Sequence, residues 1–173
     1  MARDILKTLK EEHATLRSLF DQMKETTDRA KKGRADLLET IEQNLLPHAK
    51  WEEQVFYPAF KERCDRDGLQ TLAEAIAEHH AVEHSVIPEV HAADVETPEF
   101  AGRVKVFGEF IDHHAKEEEK TMFKMVRELF SADELAQMDE DYETWKASDA
   151  AANLVFAEQA KAGLKGAVKS LIQ

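Results

Sequence analysis

The chain has 173 residues, a formal net charge of −12 and 43% hydrophobic residues. That length supports one domain with a real core, and the acidic balance excludes the basic face that nucleic acid or an anionic membrane surface would need. A single cysteine, Cys64, allows no intramolecular disulfide, and the charged start MARDILKTLKEEH reads as neither signal peptide nor membrane span, so the cytoplasm is the default compartment.

Glycine and proline are scarce, and apolar residues fall at helical spacing throughout. Ile5, Leu9, Leu16, Leu19, Phe20 and Met23 form a stripe that predicts a first helix over about residues 3–28. A polar break centred on Gly33 follows. The second helix is expected over 35–63, bent where Pro47 and Pro58 each remove an N–H. Asp65 to Gly68 reads as a turn, and a third helix covers 69–93 with a bend or end near Pro88. Thr97-Pro98 is a helix start, cap first and proline at the first helical position, for a fourth helix to about 130. Ser131 and Glu134 have the spacing of a capping box and open a shorter fifth helix to about 147. The last 25 residues are either one more helix or a loosely packed tail. The fold expected is all-α: an up-down-up-down four-helix bundle over residues 1–130, with a helical extension over 131–173 packed on it or partly mobile.

The informative feature is a repeat. His13 is followed 35 residues later by His48 in HAKWEE, and His79 is followed 35 residues later by His114 in HAKEEE. The two units are offset by 66 residues. Apolar positions match too: Leu16 with Val82, Phe20 with Val86, Ile41 with Phe107 and Leu45 with Ile111. This is the signature of a duplicated helical hairpin. Residues four apart on a helix share a face, so His48 with Glu52, and His114 with Glu118, project together. His13 and His79 add one imidazole each from the other two helices. Imidazole with carboxylate suits iron, manganese or zinc better than calcium or magnesium. Two symmetric glutamates that can each bridge favour a dinuclear site over a single ion.

The strings EEHATLRSLF, HAKWEEQVFYP, EHHAVEH and DHHAKEEEKTMF resemble the hemerythrin-like, or HHE cation-binding, family over about residues 3–130. The resemblance implies two iron ions in a non-haem centre, with scope for an oxo or hydroxo bridge, held by His13, His48, Glu52, His79, His114 and Glu118. The repeat selects His79 on the third helix. His80 and His84, themselves an HxxxH pair of the kind oxygen carriers use there, are the alternative register. Oxygen-carrying members end on His-x-x-x-x-Asp, whereas this chain offers HxxxE with Glu119 one step further. The implied ligand is O2, NO or peroxide, bound for sensing, storage or detoxification. A catalase-like or peroxidase-like enzyme and an iron-sensing regulatory module are the alternatives. Glu53 and Glu119 are either acceptors for ligand imidazoles or solvated charges. His113 is expected at the surface or behind the ligands, and Tyr57, Phe56, Trp51, Phe20 and Phe123 in the core rather than as oxidation partners.

Overall fold

The computed structural model describes residues 3–170 and, within them, is all-helical. Six helices follow in chain order. Helix α1 is Ile5–Lys24. Helix α2 joins Lys31–Trp51, a π-helical turn Glu52–Phe56, and Tyr57–Lys61. Helix α3 joins Arg66–Ala81, a π turn Val82–Val86, and Ile87–Ala92. Helix α4 joins Pro98–Glu117, a π turn Glu118–Met122, and Phe123–Leu129. Helices α5, Ala132–Lys146, and α6, Asp149–Ser170, complete the fold.

Four of the starts are set by side-chain caps. Asp4 accepts from the Lys7 N–H, Asp65 from Gly68 and Thr97 from Phe100, each satisfying an otherwise orphaned donor. Ser131 and Glu134 close the expected capping box. Three expectations shift. α1 ends at Lys24 rather than near 28. α2 begins at Lys31, so Gly33 lies in its first turn and the break falls at 25–30. α3 begins at Arg66, because Asp65 caps it and the expected turn is its first turn.

The helices also continue through Pro47, Pro58 and Pro88. Pro58 and Pro88 each stand just after a π turn, where the widened backbone relieves the clash between the ring and the preceding turn. Proline is not the whole cause. The π turn of α4 has Lys124 at the position matching Pro58 and forms regardless. Two of the π turns open at Glu52 and Glu118, the matched glutamates of the repeat.

The first four helices enclose two apolar cores. One lies towards the 25–30 and 93–97 connections and includes Leu16, Phe20, Ile41, Leu45, Val90, Phe107 and Ile111. Phe20 meets Phe107 edge-to-face at 5.0 Å, and a Cβ on Gly108 would stand 3.0 Å from the Phe20 ring, so glycine permits this close approach of α1 and α4. The other core lies towards the opposite end and includes Leu9, Trp51, Phe56, Tyr57, Phe60, Leu72, Met122 and Val126. Between them sits a buried polar layer.

The final two helices both pack on the bundle. α5 lies against α1, where the buried Thr8 hydroxyl donates to Asp139. α6 is held by Gln159 on Glu42 and by close contact of Gly166 with His91. Among the described residues, no helix is long and apolar enough to cross a membrane.

Candidate metal centre

The polar layer is built from the six residues of the repeat. His13 comes from α1, His48 and Glu52 from α2, His79 from α3, and His114 and Glu118 from α4. The His13 and His48 Nε2 atoms are 3.1 Å apart, and those of His79 and His114 3.0 Å. Glu52 spans the two pairs: Oε1 lies 3.2 Å from His48 Nε2, and Oε2 lies 3.5 Å from His79 Nε2. Glu118 Oε2 is 3.4 Å from His13 Nε2 and 3.7 Å from His114 Nε2. Two donor groups result, His13–His48–Glu52–Glu118 and Glu52–His79–His114, sharing Glu52.

The outer nitrogens explain why the inner ones converge. His13 Nδ1 is 3.2 Å from Glu119, His48 Nδ1 2.9 Å from Glu12, His79 Nδ1 3.1 Å from Glu53, and His114 Nδ1 2.8 Å from Glu78. A carboxylate accepts only, so each Nδ1 carries the proton and each Nε2 presents its lone pair inward. The four clamps obey the 66-residue offset. Glu12 and Glu78 match, as do Glu53 and Glu119, each reaching a histidine on a neighbouring helix.

The residues fit a cation. Glu52 is fully buried, yet neither of its carboxylate oxygens has a hydrogen bond, and Glu118 Oε2 has none either. Leaving ionised carboxylates buried without partners costs several kcal/mol each. Imidazole lone pairs facing one another at 3.0 Å repel unless something positive lies beside them. Adjacent ligands on one ion with bonds of about 2.1 Å stand about 3.0 Å apart, which is the spacing found. Without a cation, the neighbouring carboxylates favour a proton on His48. Burial opposes charge on His48, but Glu52 and Glu12 outweigh it and push the imidazole up to about 10. Burial likewise opposes charge on Glu118, and the imidazoles of His114, His13 and His48 still hold its carboxyl well below the usual range.

One member of the layer lies outside the expected set. The Tyr57 hydroxyl donates to Glu118 Oε1 at 2.8 Å and stands 3.2 Å from His79 Nε2. Burial, then Glu118 and Glu52, push this phenol well above its ordinary value, so it keeps its proton. The sequence placed Tyr57 in the core, and it is there, but its polar end faces the donors. Glu12 and Glu78 were also missed as clamps, although each stands beside a repeat histidine. His80 and His84 are not brought to the layer: both are exposed on α3, their rings 4.1 Å apart, with His84 Nδ1 3.4 Å from Lys165. His113 is exposed and lies 3.4 Å from Glu78.

A small cavity of about 30 Å³ adjoins the layer on the side of the first core. The four histidines border it, with Leu16, Leu45, Leu46, Val82, Ile87 and Ile111 supplying apolar walls.

Comparison with known proteins agrees with this architecture. A crystal structure of a hemerythrin HHE cation binding domain-containing protein from Mycobacterium kansasii superposes with a TM-score of 0.75, covering 97% of this chain and 99% of that one at 21% identity. At that identity the likeness shows the fold. A DNA nickase from Nostoc sp. is 23% identical over 143 residues, and the chain spans only 39% of that relative's length. Residues 4–126 match the hemerythrin HHE cation binding domain, which includes all six inner donors and all four outer glutamates. The chain therefore belongs to the hemerythrin HHE cation-binding domain family.

Proposed function

We propose that this is a non-haem di-iron protein that binds a small oxidant (O2, NO or peroxide) for sensing, storage or detoxification. His13, His48, Glu52 and Glu118 would hold one ion, and His79 and His114, with Glu52 shared, the other. The observation that carries the reading is the apolar cavity of about 30 Å³ lying directly against four imidazoles. It has room for a water-sized or diatomic guest. Iron bound there would supply reversible one-electron chemistry and an open coordination position.

The protein's own residues do the rest. The outer glutamates fix the imidazole tautomers. Leu45, Val82 and Ile111 keep the guest side dry. On the face of the layer away from the guest, Tyr57 holds a proton between Glu118 and His79 and so fixes that carboxylate. Two carboxylates inside and four behind the imidazoles make the surroundings anionic. That favours the higher oxidation state and so favours peroxide turnover or sensing over carriage. The nicking activity named for the Nostoc relative is not carried over, since most of that protein has no counterpart here and a net charge of −12 repels phosphate.

The test is metal analysis with a visible spectrum of the reduced, iron-loaded protein before and after air, NO and peroxide. Two irons per chain and a charge-transfer band that responds to these guests are expected. One tightly bound zinc with no iron uptake on reconstitution would overturn the reading. A band reversed by deoxygenation would identify a carrier, and gas evolution on peroxide an enzyme.

A further inference from the structure

The chain has two tryptophans and two tyrosines, and all four are on the same side of the metal layer. Trp51, Tyr57 and Tyr142 are buried in the second core, with Trp145 packed against it. The core that borders the guest cavity contains neither tryptophan nor tyrosine. These are the aromatic side chains most easily oxidised by one electron. The guest cavity is therefore walled by groups that resist oxidation, while the oxidisable ones stand behind the donors.

Three of them are also in mutual contact. Trp51 directly precedes Glu52 and lies three residues after His48 on α2. Its ring is 5.3 Å from Tyr142 and 5.7 Å from Trp145, centroid to centroid, and Tyr142 is 6.3 Å from Trp145. A second connection runs through hydrogen bonds: the Tyr142 hydroxyl donates to Glu12 at 2.8 Å, and Glu12 accepts from His48 Nδ1 at 2.9 Å. Trp51 and Tyr142 are buried, whereas Trp145 is only half-buried and brings the series to the surface. Tyr142 and Trp145 come from α5, beyond the residues that match the family.

We infer that Trp51, Tyr142 and Trp145 form an electron relay between the candidate centre and the protein surface, added to one side of the bundle by α5. The inference rests on the reading of a redox-active centre. With hydrogen peroxide as oxidant, two electrons and two solvent protons convert each peroxide to two waters. Each electron leaves Trp51 for the oxidised centre. Trp145 refills Trp51 across their 5.7 Å contact, with Tyr142 packed against both rings, and a one-electron donor at the surface refills Trp145. The indoles pass as radical cations, so no proton has to move along the route. Burial, then Glu12, raise the Tyr142 phenol far above its ordinary value, which leaves the indoles as the carriers.

Two experiments test this. In the first, iron-loaded protein is mixed with hydrogen peroxide, frozen within milliseconds and examined by electron paramagnetic resonance. An indole radical on Trp145 is expected; Trp51→Phe should abolish it, and Trp145→Phe should leave the radical stranded on Trp51, with iron content unchanged in both. The native signal persisting in both variants would overturn the relay. In the second, metal-free protein is oxidised by azide radical. Oxidation should pass from Trp145 to the buried aromatics at a rate independent of protein concentration, and the transfer should vanish in Trp145→Phe. Absence of transfer in the native chain would overturn the relay whether or not iron binds. Failure of iron loading with transfer intact would overturn only the functional reading.

Discussion

The two halves of the polar layer share their ligand set and differ in what surrounds it. In the half built on His13 and His48, α5 closes the outside. Glu12 receives Tyr142 and Lys146 as well as His48, and although burial opposes its charge these partners hold it at about 2. In the half built on His79 and His114, the matching Glu78 has the exposed His113 instead. His13 is 1% exposed at its side chain, against 9% for His79. Tyr57 reaches the second half, and its counterpart, Phe123, has no hydroxyl to offer the first. α3 carries a π turn at Val82–Val86, whereas the matching stretch of α1 is regular. Duplication kept the donors and their clamps alike, and later packing made the halves unequal. One ion would sit under a cover, the other beside a thinner wall.

Breaking the shared residue should have the largest effect. Glu52→Ala removes the carboxylate common to both donor groups, so both ions should be lost or greatly weakened, whereas Glu53→Ala should leave most metal in place. Metal-to-protein ratios after gel filtration decide it, and equal depletion by the two variants would refute the assignment of Glu52 as the bridge.

Next comes the register on α3. His79→Ala should abolish the dinuclear spectrum and leave the first donor group able to hold one ion. His80→Ala and His84→Ala, both exposed, should leave iron content unchanged.

Loading should also raise stability. An ion at a thousand times its dissociation constant adds about 4 kcal/mol, or about 8–16 °C in melting temperature for a chain of this size. Equal melting of apo and loaded forms would mean that the layer does not bind as a unit. Chelation under mild conditions should empty the His79 half first if the cover of α5 matters.

Tyr57→Phe makes the two halves more alike. It removes a hydrogen bond to the buried carboxylate of Glu118, at about 1–3 kcal/mol, and should shift the spectrum of the centre without changing the metal count.

The smallest effect concerns the anchor of α5. The Glu134 carboxyl, at the protein surface, is lowered from its ordinary 4.5 to about 2 by Arg63 first and then by Ser131. A depressed value means its contribution is complete above about 4.5 and fades as the pH falls towards 2. The protection of amides at the start of α5, measured against their intrinsic exchange rates, should therefore fall over that interval, and Glu134→Gln should flatten the dependence.

That these six side chains meet in one layer is legible because the 66-residue repeat fixes six positions at once and the i, i+4 rule puts each His–Glu pair on one face. The clamps were harder. Glu12 and Glu78 are turned about 100° from the adjacent histidines, so a single helix shows them pointing elsewhere; their targets lie on a neighbouring helix. Tyr57 reads as core because an apolar ring hides what its hydroxyl touches. The cover supplied by Tyr142 and Lys146 is a contact across 130 residues or more, and no local pattern announces it. Gly33 misled for a simpler reason: a glycine in the first turn of a helix is tolerated where neighbouring residues carry the helix forward.

The π turns bear on how this chain should be aligned with others. Each such turn fits one more residue into a helix than a regular coil of equal span, while the faces on either side stay in phase. A relative lacking that extra residue would show a one-position gap just after Glu52 or Glu118, yet would keep Phe60 and Val126 facing inward. Gaps at those points are then repairs of the helix rather than losses of the fold. Deleting Gln54 alone should leave a folded bundle, whereas deleting Leu38, in the regular part of α2, would rotate every residue beyond it by about 100° and scatter the centre.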